Sequence, residues 1–294
     1  MKSILCFHHN DSDGRASGAI VRYALGKDVI LIESDYDGKP IEWENLREIS
    51  QVIVVDFSFP YYEMKRLAEE HELVWIDHHI SALIEFSSIS LDWSGIRSID
   101  EAACVLTWQY FFPGKPVPKA VVLIGDRDIW RWAEIDTGAF NEGLYVQDTH
   151  AENDHLWKPL LEDDPLLLKQ LLDEGTRLRE IRLAETKKLL ENRGFSVLFE
   201  GYKTLAINTQ GNGDLGQYGC DLGYQIVYCY QDQMQNNQLM TVVTLFSRSI
   251  DVSTIAKRLN GGGHAGAAGF SFPRSGTPFP TTTKVSWSNV GKVI

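Results

Sequence analysis

The chain has 294 residues, 44% of them hydrophobic and 23% charged, enough apolar material for a substantial core and not the composition of a disordered chain. A net charge of −12 without any run of Lys and Arg argues against a surface that grips long duplex nucleic acid, where affinity comes mainly from neutralising phosphates. No apolar run approaches the ~20 residues that cross a bilayer; with no secretory signal and no C-x-x-C spacing among Cys6, Cys104, Cys220 and Cys229, the expectation is a cytoplasmic protein without zinc knuckle or disulfide framework.

In chain order, residues 3–7 read as a strand and 14–25 as a helix with small residues in its first turn. Strands follow over 27–33 and 51–55, the latter apolar enough to be buried on both faces, then a helix over 61–71, a strand over 73–76 and a helix over 101–112. Residues 119–124 suit a strand or a helix equally. This alternation predicts an α/β fold with a largely parallel N-terminal sheet flanked by helices over residues 1–150. A linker region over 151–194 contains a long amphipathic helix from 165 to 193, with leucines at helical spacing among charges. Residues 195–294 read as a smaller α/β domain, with strands over 195–199, 203–208, 224–230 and 240–247 and a helix over 252–259; the tail from Pro273 reads as extended surface chain.

Chemistry-bearing residues gather at the ends of the apolar runs, where open α/β sheets place their ligand sites. His9-Asn10-Asp11-Ser12-Asp13-Gly14 follows the first strand. Two close carboxylates are costly to ionise unless a cation lies between them, yet Asp, Ser and Asn also favour helix N-caps, and the motif alone leaves both readings open. Asp56 ends the third strand, a place where one Asp also serves as a cap. Asp77-His78-His79 ends the fourth, and paired imidazoles there favour a divalent metal. In Gly125-Asp126-Arg127-Asp128-Ile129-Trp130-Arg131-Trp132 the aspartates have surface ion pairing with arginine as an equal alternative.

Taken together, H-x-D-x-D-G, a strand-terminal Asp, D-H-H and a later Asp resemble motifs I to IV of the DHH phosphoesterases. Towards the C-terminus, Arg248, Val252-Ser253-Thr254-Ile255-Ala256 and Gly261-Gly262-Gly263-His264 resemble the G-G-G-H signature of the DHH-associated domain. The resemblance covers most of the chain, in the family's order, and is nearest to its oligoribonuclease-like (nanoRNase) members. It implies two metal ions per chain, Mn2+ with Mg2+ or Co2+ as substitutes. One would be held by His9, Asp11 and Asp56 and the other by Asp13, Asp56, His78 and Asp128, with Asp56 bridging. His79 would lie beside them towards phosphate, and Asp77 would orient an imidazole. Asp126 competes with Asp128, which is chosen because D-x-W-x-W resembles the oligoribonuclease-like pattern.

Mixed oxygen and nitrogen donors suit Mn2+ better than Mg2+, and a metal pair ~3.5–4 Å apart activates water for phosphodiester hydrolysis. The glycine triplet also suits a turn closing the preceding helix; the metal motifs upstream favour its other reading, a backbone cradle for a substrate phosphate shared with His264 and Arg248. The implied activity is hydrolysis of short oligonucleotides or small nucleotides, with polyphosphate hydrolysis or RecJ-like single-strand exonuclease action as alternatives. A homodimer is one possible assembly, and no membrane or long duplex partner is expected.

Overall fold

In the computed structural model, residues 3–36, 41–86 and 92–286 are described, and they divide into two units, Met1–Thr176 and Arg177–Ile294. The first unit opens with β1 (Ser3–His9), α1 (Ser12–Leu25), β2 (Ile30–Ser34), a 3-10 turn over Trp43–Leu46, β3 (Ile49–Val55), α2 (Tyr61–Glu70) and β4 (Glu72–Ile76). All four strands run parallel in the order β2-β1-β3-β4, so the chemistry-bearing turns leave one edge of the sheet side by side. Side chains alternate between two cores, as a strand period of two requires. Leu5, Phe7, Val52, Val54 and Trp75 pack with Met64 and Leu67 of α2, while Cys6, Ile53, Val55, Val74 and Ile76 pack with Val21 of α1.

Among the described residues, six helices follow: α3 (Ile80–Phe86), α4 (Ala103–Phe111), α5 (Lys119–Asp128), α6 (Thr137–Tyr145), α7 (Asp154–Leu161) and α8 (Pro165–Arg193). Residues of α1 and α4 to α7, with Leu171 of α8, form most of a third core. The ambiguous segment at 119–124 is therefore helix, extending to Asp128. Sequence reasoning missed α6 and α7, because each is short and interrupted, by Gly138 and Gly143 in one and Pro159 in the other. The glycines have a packing role. A Cβ at Gly175 of α8 would lie 1.7 Å from the Ala139 carbonyl oxygen, and one at Gly143 would lie 2.1 Å from that of Leu171.

The second unit takes the remainder of α8, then β5 (Phe195–Phe199), β6 (Tyr202–Asn208), α9 (Gly213–Asp221), β7 (Ile226–Gln235), β8 (Gln238–Phe246), α10 (Val252–Arg258), β9 (Gly262–Gly263), β10 (Ala267–Pro273) and β11 (Val285–Ser286). Its mixed sheet has the order β11-β5-β6-β7-β8-β10-β9, with β6 and β7 parallel. The β7 and β8 strands run beyond their expected ends because Asn236 and Asn237, at φ 49° and 60°, close a tight hairpin. Helix α9 was missed because its glycines read as loop. They let it lie flat on the sheet, since a Cβ at Gly216 would come within 2.5 Å of the Phe246 ring and one at Gly219 within 2.4 Å of Val227.

The tail is not merely extended surface chain. Phe279 is buried against Phe199 and Tyr228, Tyr228 donates to the Pro278 carbonyl at 2.7 Å, and β11 pairs with β5. The part of that tail from 287 to 294 lies outside the described residues. No helix among the described residues is long and apolar enough to cross a membrane.

The α6–α8 crossing yields a direct test. Gly175→Val should lower stability by about 3 kcal/mol or more, because rigid backbone, not a flexible side chain, stands in the way. Gly276→Ala, where a Cβ meets nothing within 4 Å, should change it by less than about 0.5 kcal/mol in the same urea titration.

Candidate metal centre

The parallel order sets β1, β3 and β4 next to one another, so His9, Asp56 and Asp77 emerge together at their carboxyl ends. At the β1–α1 turn, the N-cap and metal readings turn out to be compatible. Asp11 Oδ1 accepts the Gly14 N–H at 2.9 Å, while Oδ2 lies 3.0 Å from His9 Nδ1. Gly14 does not need a left-handed backbone; it is needed because a Cβ there would lie 2.4 Å from the His9 carbonyl oxygen. Asp13, on the first turn of α1, is buried, and its carboxylate receives the N–H groups of Ala103 and Cys104 at the start of α4, both at 2.8 Å.

Asp56 sits between two groups of donors. Its Oδ1 is 3.2 Å from His78 Nε2, and its Oδ2 is 3.7 Å from His9 Nδ1. His78 Nε2 also lies 3.5 Å from Asp13 Oδ2 and 3.4 Å from Asp128 Oδ2. Two sets of potential ligand atoms, His9/Asp11/Asp56 and Asp13/Asp56/His78, thus each fit within 4.8 Å and share Asp56. The residues grouped from sequence thus lie together, and Asp128 approaches the second set through His78. Asp56 is 1% exposed, and neither of its oxygens accepts a well-aligned hydrogen bond; Asp128 Oδ2 is likewise without one. Bare buried carboxylate oxygens beside imidazole nitrogens fit a divalent cation, which needs such donors left unspent. Asp56 is also held at φ 54°, a left-handed backbone that a non-glycine residue adopts at a cost.

Asp77 is fully committed on one side: its Oδ1 accepts the backbone N–H of His78 and of His79, at 2.7 and 3.1 Å, and lies 2.8 Å from His79 Nδ1. The imidazole it orients is therefore that of His79.

The rivalry between Asp126 and Asp128 resolves by helical geometry, since residues two apart on a helix project about 200° from each other. Asp126 points away from His78 and accepts the N–H groups of Ala133 and Glu134, at 2.9 and 3.1 Å, and the hydroxyl of Thr137. It organises the turn that follows α5, while Asp128 faces the cluster. Sequence reasoning overlooked Asp35, whose Oδ1 lies 3.7 Å from His9 Nε2; its only signal was the one Asp56 gave, an Asp following a strand.

In the second unit, Gly262 and Gly263 pair with β10, and Gly261 packs so closely that a Cβ would lie 2.0 Å from the Gly269 carbonyl oxygen. Gly261 N–H donates to Ala256 and His264 N–H to Ala267, so these two amides are spent within the fold and do not form part of an open anion cradle. Arg248 donates through Nε to Gln217 at 3.1 Å and pairs with Asp221 at 2.9 Å.

Electrostatics follow from the crowding. Burial, and then the charges of Asp13 and Asp11, push the Asp56 carboxyl well up; burial and Asp13 do the same to Asp128. For His9, burial opposes the charged form, but Asp11 and Asp56 outweigh it and raise the imidazole to about 10. For Asp11, burial works against ionisation, but the His9 contact holds it below the usual carboxylate range. Without a cation the cluster thus retains protons that metal binding must expel.

Two expectations follow. A carboxyl raised above its unfolded value destabilises the fold as pH climbs through the interval between the two, so the metal-free protein should lose stability from these groups as pH rises above the ordinary carboxylate range. Mn2+ affinity should rise over the same interval, and the Mn2+-induced gain in melting temperature should be larger at pH 8 than at pH 6; a gain independent of pH would contradict the arrangement. Separately, Asp126→Asn should destabilise the metal-free protein by about 1–3 kcal/mol, whereas Asp128→Asn should leave it as stable or more so and weaken Mn2+ binding. Calorimetry with and without Mn2+ separates the two.

No protein-family model matches the chain. It is 28% identical, over 92% of its length and 67% of the relative's, to an uncharacterized protein of Acanthamoeba polyphaga mimivirus. Among solved structures, the DHH domain of a member of a ribosomal-protein family matches with a TM-score of 0.52 at 17% identity, covering 91% of this chain and 82% of that one. A manganese-bound exonuclease RecJ matches with a TM-score of 0.45 at 18% identity, covering 92% and 86%. With the four-stranded parallel sheet and the motif-bearing strand ends in this order, the chain has the fold of a DHH domain.

Proposed function

We infer that the chain is a metal-dependent phosphoesterase that hydrolyses phosphodiester bonds in short oligonucleotides or small nucleotides. The observation that carries this reading is Asp56: a buried carboxylate with both oxygens bare, shared by two groups of potential ligands. His9, Asp11 and Asp56 would hold one cation and Asp13, Asp56, His78 and Asp128 the other, Mn2+ being favoured by the mixed donors. When bound, such a pair supplies Lewis acidity at phosphate and lowers the pKa of water.

The chain's own residues do the rest. Asp13 and Asp77 are fixed by backbone N–H groups, so His79 and the ligand carboxylates keep their orientation without substrate. His79, oriented through Nδ1 by Asp77, would contact a phosphate oxygen as a hydrogen-bond donor in its imidazolium form. In the second unit, Arg248 is the residue suited to a terminal phosphate, in exchange for Asp221. A small substrate is supported by the charge of −12, which disfavours long strands and polyphosphate alike.

The test is a panel of dinucleotides, long single strands and polyphosphate, each with Mn2+ and after exhaustive chelation. Dinucleotides should be cleaved fastest, chelation should abolish the activity, and Asp56→Asn should reduce it more than ~10²-fold with the fold intact. Undiminished turnover after verified removal of divalent metal would overturn the mechanism, and preferred cleavage of polyphosphate would overturn the substrate class.

A further inference from the structure

Next to the His9 side of the cluster, a cavity of about 560 Å3 opens over the β1–β2 edge of the sheet. Its floor is apolar: Phe7 and Phe59, edge to face at 4.9 Å, with Leu46 and the side chain of Ile32. Ile32 is 36% exposed, an apolar surface facing the cavity on an edge strand. Its rim is polar and acidic, with Glu33, Asp35 and Glu42, and among the described residues no Lys, Arg or His lines it. Asp35 connects the cavity to the cluster, since it accepts from Asn10 at 3.0 Å and lies 3.7 Å from His9 Nε2.

With Glu33 neutralised by Arg15 but Asp35 and Glu42 left acidic, the described lining disfavours a phosphate, so this volume suits the uncharged end of a nucleotide whose phosphate lies at the cluster. The rim carboxylates differ in what they have left to offer. Glu33 is held by Arg15 at 2.8 Å, and both oxygens of Asp35 receive donors, from Asn10 and from the Tyr36 N–H. Glu42, an exposed lining residue, receives the Asn45 amide on Oε2 at 2.7 Å and has acceptor capacity remaining. A carboxylate prefers two adjacent N–H donors, and among the common bases guanine presents them, N1–H beside the 2-amino group. Adenine and cytosine place a ring acceptor beside their amino group, which a carboxylate repels.

We propose that this cavity is a nucleobase site selective for guanine, with Glu42 reading the N1–H and 2-amino edge and Phe7, Phe59 and Ile32 covering the ring. The choice of a nucleotide as occupant rests on the phosphoesterase reading above. The site makes the chain prefer a guanine nucleotide on the side of the scissile phosphate nearest His9.

Nucleosides test it without using the metals. With the full-length protein and no added metal, guanosine should bind at least about tenfold more tightly than inosine, which lacks the 2-amino group, or adenosine. Glu42→Ala should erase that difference, and Ile32→Trp, which fills the floor, should weaken guanosine binding. Equal binding of the three nucleosides, or an unchanged preference for guanosine in Glu42→Ala, would overturn the proposal. Hydrolysis of bis(p-nitrophenyl) phosphate by the unmodified protein with Mn2+ reports on the metals separately. Guanosine binding with the expected order but no such hydrolysis would support the base site while removing the phosphoesterase reading.

Discussion

Asp11, Asp13, Asp56 and Asp128 crowd four carboxylates around two imidazoles, and Asp56, in their midst, is 1% exposed with neither oxygen hydrogen-bonded. Two like charges 4 Å apart repel by about 4 kcal/mol even at an effective dielectric constant near 20. Such a group is stable only if it keeps protons or takes up cations, and the upward displacement of Asp56 and Asp128 is the first of those outcomes. The left-handed backbone at Asp56 adds to the cost. The surrounding fold has to hold that arrangement in place, and much of the first unit does so.

The neighbouring aspartates show how. Asp126 spends both oxygens on backbone N–H groups and on Thr137, whereas Asp77 commits Oδ1 to the His78 and His79 N–H groups and the His79 imidazole and keeps Oδ2 bare. Asp13 and Asp11 divide their capacity, each accepting from a helix N-terminus while keeping an oxygen near an imidazole. The division explains why six aspartates lie close together without being equivalent. Those bound by amides give rigidity, and those left bare give affinity for a cation. The parallel sheet supplies the frame, because adjacent strands running the same way deliver their carboxyl ends to one edge.

The second unit contributes in another register. Its glycines serve close packing: Gly216 and Gly219 against Phe246 and Val227, and Gly261 against the Gly269 carbonyl. The glycine triplet that reads as a phosphate cradle is thus partly a packing device, with the amides of Gly261 and His264 already bonded. Arg248 is retained by Asp221 and Gln217, so its availability to an anion is conditional and not free.

Strand and helix periodicity are local signals, and they carried the α/β alternation and the long helix over Pro165–Arg193; the grouping of His9, Asp11, Asp13, Asp56 and His78 came instead from the resemblance to the DHH phosphoesterases. Spacing alone left Asp126 and Asp128 open, and only the resemblance favoured Asp128; the direction in which α5 presents each decides which meets His78. Nor did the sequence reveal α6, α7 and α9, whose glycines and proline break the periodic pattern while allowing backbones to approach where side chains would collide. The approach of Asp35 to His9, and the cavity beside it, arise only where β2 lies against β1, a pairing made by tertiary contact and not by any spacing along the chain.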